Sequence, residues 1–309
     1  MGYVAPTWQN GGPPALNAKN MQDISDNLAY VSNHMVNPNL LDNWYFGNPV
    51  NQRGWAQGNT NFQYSLDRWI SNDLTVSVND GYVTLTQSGQ SNLFMVQRVE
   101  ANIYKHGIAG RKVTISALLK DGQLKTATVT APAYQENTVA QTVIDGLVLG
   151  AYSAQSEHGF RIFPDVGQSF EIVAVGAELG SQQTLAHKEY GVWVLNEIPK
   201  FGDQLAECQR YYYRAHYTQY QTINMSYEDT VYAFVMLPLP VAMRIDNPVL
   251  TQSKPITLGT SEKLMAAAEA KGCVARLGVN YAEISNAQRS IYSYCADPEG
   301  VTFTLSADL

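Results

Sequence analysis

Charge is scarce in this chain. Asp, Glu, Lys and Arg make up only 15% of its 309 residues, against 45% for apolar ones. A chain so poor in charge and so rich in apolar residues folds rather than staying disordered. Its solvated faces must then be built largely from Asn, Gln, Ser and Thr, which suit hydrogen bonding to neutral partners such as sugars. Basic clusters are missing as well: Arg111-Lys112 is the longest basic run, and the formal charge is −7. That balance argues against nucleic acid as a partner, since nucleic acid needs a basic footprint. It argues equally against a basic helix lying on a membrane. No run of about eighteen apolar residues occurs, so membrane insertion is not expected. The N-terminus has no basic segment followed by an apolar one, so no secretory leader is expected either.

Cysteine is almost absent. Cys208, Cys273 and Cys295 show no CxxC spacing and no nearby histidine pair, which argues against zinc. Either Cys273 and Cys295 form a disulfide or all three are free buried thiols, the reading preferred here. Catalytic motifs are missing too: there is no HExxH, no GxSxG elbow and no GxxxxGK[ST] phosphate loop. A glycosidase needs two facing carboxylates. The candidates Asp67, Glu100, Asp145, Glu157, Asp165, Glu171 and Glu178 lie in no recognised motif, and the sequence brings no two of them together. Asp67 and Asp165 could serve a structural calcium ion, but no DxDxDG-like cluster is present. Of the five scattered histidines, His158 lies in the loop-like SEHGF and reads as a surface residue. No enzyme activity, cofactor or metal is expected.

What the chain does contain is organised around Ala186 to Tyr213. Val192 to Leu195 reads as the last strand of a first unit, stopped before Pro199. Gly202 and Asp203 signal a helix start, with Leu205, Cys208 and Tyr212 on one face. This helix reads as a hinge or plug where two β-sandwiches meet. The boundaries expected are 1–36 for an N-terminal arm and helix, 37–198 for a first domain and 199–309 for a second. Residues 1 to 15 are dense in Pro and Gly and need a partner to become ordered. Asn17 can cap a helix reaching about Met35. In it, Met21, Ile24, Leu28, Val31 and Met35 follow the 3-4-3-4 spacing of a coiled-coil seam, although such a helix can also pack on its own sandwich.

Between 37 and 195 no helical stretch of useful length is read. Strands are expected at 64–70, 74–87, 93–100, 112–131, 142–150 and 169–179, with hairpin turns at 79–81 and 120–123. Short strands at regular spacing imply an antiparallel sandwich or jelly roll. The last unit offers strands at 229–237, 247–252, 273–279, 289–295 and 300–307, with 261–272 read as a short helix closed by Gly272. The run 229–237 is apolar on both faces, which points to cover from both sides, most simply by a neighbouring subunit. The fold class is therefore all-β, two antiparallel jelly-roll-like sandwiches after a short helix.

Aromatics carry the strongest binding signal, with 19 tyrosines and 5 tryptophans. Tyr and Trp suit both protein interfaces and sugar rings. The cluster at 211–213 is read as interface. Tyr292 and Tyr294 share a strand face in SIYSYC, and with Tyr281 they form the candidate ligand face. Trp44 and Trp55 of the first unit are the alternatives, and Trp69 reads as core.

The segments ELGSQQTLAH, VWVLNEIP and QLAECQRYYY resemble the domain junction of tail-fibre and receptor-binding proteins of tailed phages. YVAPTWQNGGPPALNAKNMQDI is similar to their attachment segment, and LPLPVAMR and FTLSADL to their last domain. NLLDNWYF and the later DRW resemble jelly rolls of the carbohydrate-binding kind. The resemblance implies a homotrimer in the virion tail, joined to other tail or baseplate proteins through residues 1–36 and binding a host surface glycan. Two rival readings are a structural baseplate component that binds only virion proteins and a carbohydrate-active enzyme in the first unit.

Overall fold

A computed structural model describes residues 18–34, 36–59, 61–87, 93–227, 230–254, 256–258, 261–263, 267–271, 273–281 and 292–308. The fold is all-β and antiparallel, preceded by helix α1 (Ala18–His34). Two six-stranded sheets make the first unit. One runs in the order β1 (Gln57–Asn59), β4 (Thr75–Asn79), β5 (Tyr82–Thr86), β12 (Ser169–Leu179), β7 (Lys112–Leu119), β8 (Leu124–Thr130). The other runs β2 (Gln63–Leu66), β3 (Trp69–Asn72), β6 (Phe94–Arg98), β11 (Glu157–Pro164), β10 (Leu147–Ala154), β9 (Thr138–Ile144). Alternation explains the packing: along β8 every second residue is buried, while central β7 is buried from Val113 to Leu119. Trp69, Phe46, Phe160, Met95, Leu85 and Ile115 fill the space between the sheets. Trp69 meets Phe46 edge-on at 5.5 Å and donates its indole N–H to the Asn43 carbonyl at 2.9 Å.

Several local expectations change. The stretch 142–150 is not one strand, because Asp145 and Gly146, at φ +45° and +84°, make a two-residue turn between β9 and β10. Such turns need positive φ at both central positions, which Asp-Gly supplies. The stretch 64–70 also turns, at Asp67-Arg68, with Arg68 at φ +70° and no glycine to mark it. Strand β11 falls where a loop was read. A short helical segment is present within 37–195: α2 (Ala101–Ile103) runs into a π-helical turn at Tyr104–Ile108, burying Tyr104 and Ile108. Strand β14 (Val192–Leu195) does close the first unit, but as one arm of a hairpin with β13 (Ala186–Glu189), whose Trp193 and Leu195 pack on Leu118, Ala174 and Leu185.

The second unit follows helix α3 (Phe201–Gln209). Its six-stranded sheet is ordered β17 (Val249–Gln252), β22 (Tyr292–Ser306), β15 (Tyr212–Tyr227), β16 (Thr230–Pro238), β21 (Val274–Tyr281), β20 (Ala267–Lys271). A two-stranded ribbon, β18 (Ile256–Leu258) with β19 (Ser261–Lys263), lies beside it. The sheet curls until its edges β17 and β20 come together over Val235, Leu237, Ala275, Leu277, Phe303 and Leu305. The short helix read at 261–272 is overturned by β19 and β20. Ala268 and Ala270 are buried at the two-residue period of a strand, so pairing and burial override the helix propensity of alanine. Residues 289–295 and 300–307 were expected as separate strands, yet from Tyr292 onward they belong to one strand, β22, whose register against β15 shifts between Tyr217 and Gln219. Of β16, Val235 and Leu237 are core and Pro238 is exposed, while the side chains of 230–234 and 236, which would show cover on both faces, lie outside the described residues. Cys208 and Cys273 are free thiols, Cys208 buried and Cys273 exposed rather than buried as preferred above. The side chain of Cys295 lies outside the described residues.

A charged and aromatic junction holds the two units together. The Arg68 guanidinium donates from Nε to Asp42 at 2.8 Å and from a terminal nitrogen to the Arg98 carbonyl at 2.7 Å, and it stacks 3.5 Å from the Tyr211 ring centre. Tyr211 donates its hydroxyl to Glu100 at 2.9 Å. Arg53 lies between the rings of Tyr64 and Tyr212, at 4.5 and 3.8 Å, and pairs with Asp308 at 2.6 Å. Gln52 donates its amide to the Tyr212 carbonyl at 2.9 Å. Burial opposes the Arg68 charge, but Asp42 and then Tyr211 outweigh it and its pKa is held above the ordinary value. Removing one partner of a buried pair costs about 3–5 kcal/mol. Arg68→Met is therefore expected to lose about 3 kcal/mol in denaturant unfolding, with part recovered by adding Asp42→Asn. A loss below about 1 kcal/mol would show that Arg68 does not hold the junction.

Candidate functional site

The junction opens on one side into a cleft of about 470 Å³ between the entry segment 36–44, the loop after β12, and α3. Each wall is fixed by hydrogen bonds. Asn39 bridges to β12, donating to the Val175 carbonyl and accepting from the Ala177 N–H, both at 3.0 Å. The buried Gln97 amide clamps Asp42 by its backbone, accepting from its N–H and donating to its carbonyl, both at 2.7 Å. Thr184 donates its N–H and hydroxyl to Glu178, each at 2.7 Å, and accepts the Asn37 N–H at 2.6 Å. Asn196 ties the chain leaving β14 to the Thr184 carbonyl at 2.8 Å. Trp44 forms an apolar wall, packed on Leu185 and edge-on to Tyr45 at 6.3 Å.

The third wall is α3, which starts after Pro199-Lys200 rather than at Gly202. Gln204 and Cys208, a turn apart, face inward, while Asp203 and Glu207, also a turn apart, face outward. Gln204 is only 3% exposed, yet neither its amide nitrogen nor its amide oxygen has a hydrogen-bond partner among the described residues. Among the described residues Glu197, Asp203 and Glu207 have no ion-pair partner. Partial burial and the nearby Asp42 and Asp203 carboxylates raise Glu207 above its ordinary pKa. Burial pushes the Cys208 thiol well up, so it is no nucleophile. The cleft thus offers an aromatic wall, a stranded amide and surplus negative charge. No family model, curated protein or solved structure matches the chain.

The residues singled out from sequence are placed differently. Trp55 is half-buried and donates its indole N–H to the Val76 carbonyl at 3.1 Å, away from the cleft. Tyr292 pairs with Ile223 and Tyr294 with Gln221, so the two share one face of the sheet. Tyr281 pairs with Val231 of β16, so two strands, β15 and β16, lie between it and the strand β22 that carries Tyr292 and Tyr294. The side chains of these three tyrosines lie outside the described residues. The carboxylates considered for catalysis are mostly held by structural partners: Asp67 by Arg53 and the Gln52 N–H, Asp145 by Lys125, Glu157 by Arg98, and Glu171 by Lys120. No cluster of three metal-ligating side chains occurs among the described residues, and Asp165 sits in an exposed turn that binds the Val166 N–H. Sequence reasoning missed Asp42, Gln204 and Glu207. One signal for the last was available: Asp203 and Glu207 are like charges at i, i+4 on one helix face.

His158 is not on the surface but 1% exposed, on β11. It stacks between Tyr104 and Tyr134, at 5.0 and 4.6 Å, and shares a 2.8 Å hydrogen bond with Ser153. Burial lowers its pKa. A depressed histidine contributes stability above its unfolded pKa of about 6.5 that is lost as pH falls below that value. Asp67 acts oppositely: burial pushes it up to about 6, so protonation between about 6 and its ordinary 3.8 favours the fold. Melting curves of His158→Phe and the parent, compared from neutral pH downward, should isolate the imidazole. The parent should lose stability relative to the variant below about pH 6.5; a constant offset would mean that the folded protein accommodates the charged ring.

Proposed function

We propose that the chain is a receptor-binding protein of the tail-fibre kind, located in the virion tail, that adheres to a host cell-surface glycan as a homotrimer. The cleft walled by Trp44, the stranded Gln204 amide and partner-free carboxylates carries this reading. An aromatic ring beside polar groups that lack partners suits a saccharide, whose C–H face stacks while its hydroxyls bond. Adhesion is favoured over hydrolysis because most acids first considered for catalysis are spent on structural cations. The sequence resemblance supplies the virion setting, with residues 1–36 as the attachment to other tail proteins. Trimerisation is supported by α1, whose Met21, Ile24 and Leu28 are 54%, 47% and 65% exposed, three positions of an a/d stripe left uncovered by the described residues of one chain. Linking three weak sites raises avidity without new contacts.

Sedimentation of the purified chain should give a trimer, and the trimer should adsorb to intact host cells and be displaced by their surface polysaccharide. A monodisperse monomer at micromolar concentration would reject the assembly. Failure to adsorb would favour the structural baseplate reading. Release of oligosaccharide from the polysaccharide would replace adhesion with catalysis.

A further inference from the structure

The acids of the cleft need a ligand that answers their charge. Asp42 is neutralised by Arg68, and the buried Glu178 is satisfied by Thr184. Glu197, Asp203 and Glu207 remain, facing Lys200 as the one cation lining the cleft among the described residues. These acids do not converge as metal ligands do, since no group of three that could hold an ion occurs among the described residues. Asp203 and Glu207 lie on α3 and Glu197 on the segment leading into it, and all three line the same cleft as Trp44. The Gln204 amide lies in the same wall, nine-tenths and more buried and without a partner. A second hollow, of about 360 Å³ beside β13, makes a poorer saccharide site, because Lys188 already stands 5.4 Å over its Trp193 ring.

We infer that the cleft binds a saccharide bearing a free, protonated amine, such as a de-N-acetylated hexosamine unit, with Trp44 against the ring, Gln204 on a hydroxyl, and Asp203 and Glu207 around the ammonium. The inference rests on the adhesion reading and adds the ligand class. Each part has a physical reason. A neutral glycan would leave Asp203 repelling Glu207, whereas an ammonium relieves both. Charge-assisted hydrogen bonds are about twice as strong as neutral ones. A bare metal ion would find no chelating cluster. An acidic sugar would be repelled.

The test uses the full chain and two probes of equal length, glucosamine oligomers with free amines and their N-acetylated counterparts. Calorimetry at mildly acidic pH and low salt should show binding of the free-amine oligomer only, weakened by added salt. Asp203→Asn with Glu207→Gln should weaken it by about tenfold or more, the loss of at least one charged hydrogen bond. Equal binding of both oligomers would overturn the amine assignment and leave adhesion standing. Binding of neither, with cells still adsorbing the protein, would also overturn the assignment alone. Binding of neither, with no adsorption, would remove both readings. Gln204→Met separates a ligand group from a packing fault. It should raise the melting temperature by removing an unsatisfied amide and at the same time weaken the free-amine oligomer. A higher melting temperature with unchanged binding would overturn the role of Gln204 and, with it, this cleft as the site.

Discussion

The buried guanidinium of Arg68 ties together the parts on which the rest of the arrangement depends. It sits at the tip of the β2–β3 hairpin in a left-handed conformation that a non-glycine residue seldom adopts, at φ +70°. That turn aims the side chain out of the first sandwich and under the Tyr211 ring, where α3 passes into β15. A buried charge is tolerable only when paired and hydrogen-bonded. Asp42 and the Arg98 carbonyl meet that requirement from the first unit, and the face of Tyr211 adds the second. A desolvated cation–π contact is worth about 2 kcal/mol. The same interaction therefore closes the junction, orients the end of α3 and holds Asp42 at the rim of the cleft.

Arg53 repeats the arrangement one loop away, between Tyr64 and Tyr212 and against Asp67 and Asp308. Its contact with Asp67, at 3.5 Å, is an ion pair rather than a good hydrogen bond, so Asp67 is only partly compensated. That is why burial can push Asp67 up to about 6 despite a cation nearby. The loop from Asn43 to Trp55, which follows the entry segment, is thus an organiser: Asn43 is fully buried, donates to the Val50 and Asp67 carbonyls at 2.9 Å and fixes the turn that carries Gln52 and Arg53.

The sequence spoke clearly where one local rule decided the outcome. Alternating valines around Asp80-Gly81 fix the β4–β5 hairpin, and Val192 to Leu195 is a strand as read. It was silent where distant partners decide. Nothing near Asp67-Arg68 announces a turn, because the turn is stabilised by Asp42 and Tyr211 rather than by a glycine. The alanines of β20 favour a helix locally and become a strand only because β21 and the second core accept them. His158 looks like a loop residue until Tyr104 and Tyr134 close on it from elsewhere in the chain. The cleft was hidden for the same reason: its walls come from residues 36–44, 178–185 and 197–207, and no single segment carries its pattern.

The distribution of unfavourable terms is informative in itself. In the first unit several acids find cations: Asp145 meets Lys125, Glu157 meets Arg98, and Glu171 meets Lys120. Some polar residues between the strands find each other, as Thr114 does Thr128 at 2.9 Å, while the buried Ser65 hydroxyl has no hydrogen-bond partner among the described residues. At α3 a buried amide goes unsatisfied, at a cost of about 1–3 kcal/mol, and two like charges share a helix face with Arg210 offsetting part of the repulsion on Glu207. A leucine or methionine at 204 and a lysine at 207 would remove both costs without touching the junction contacts of Arg68. These groups line one cleft together with Trp44. Under the adhesion proposed above, the hydroxyls and the charge of a bound ligand would relieve both costs at once.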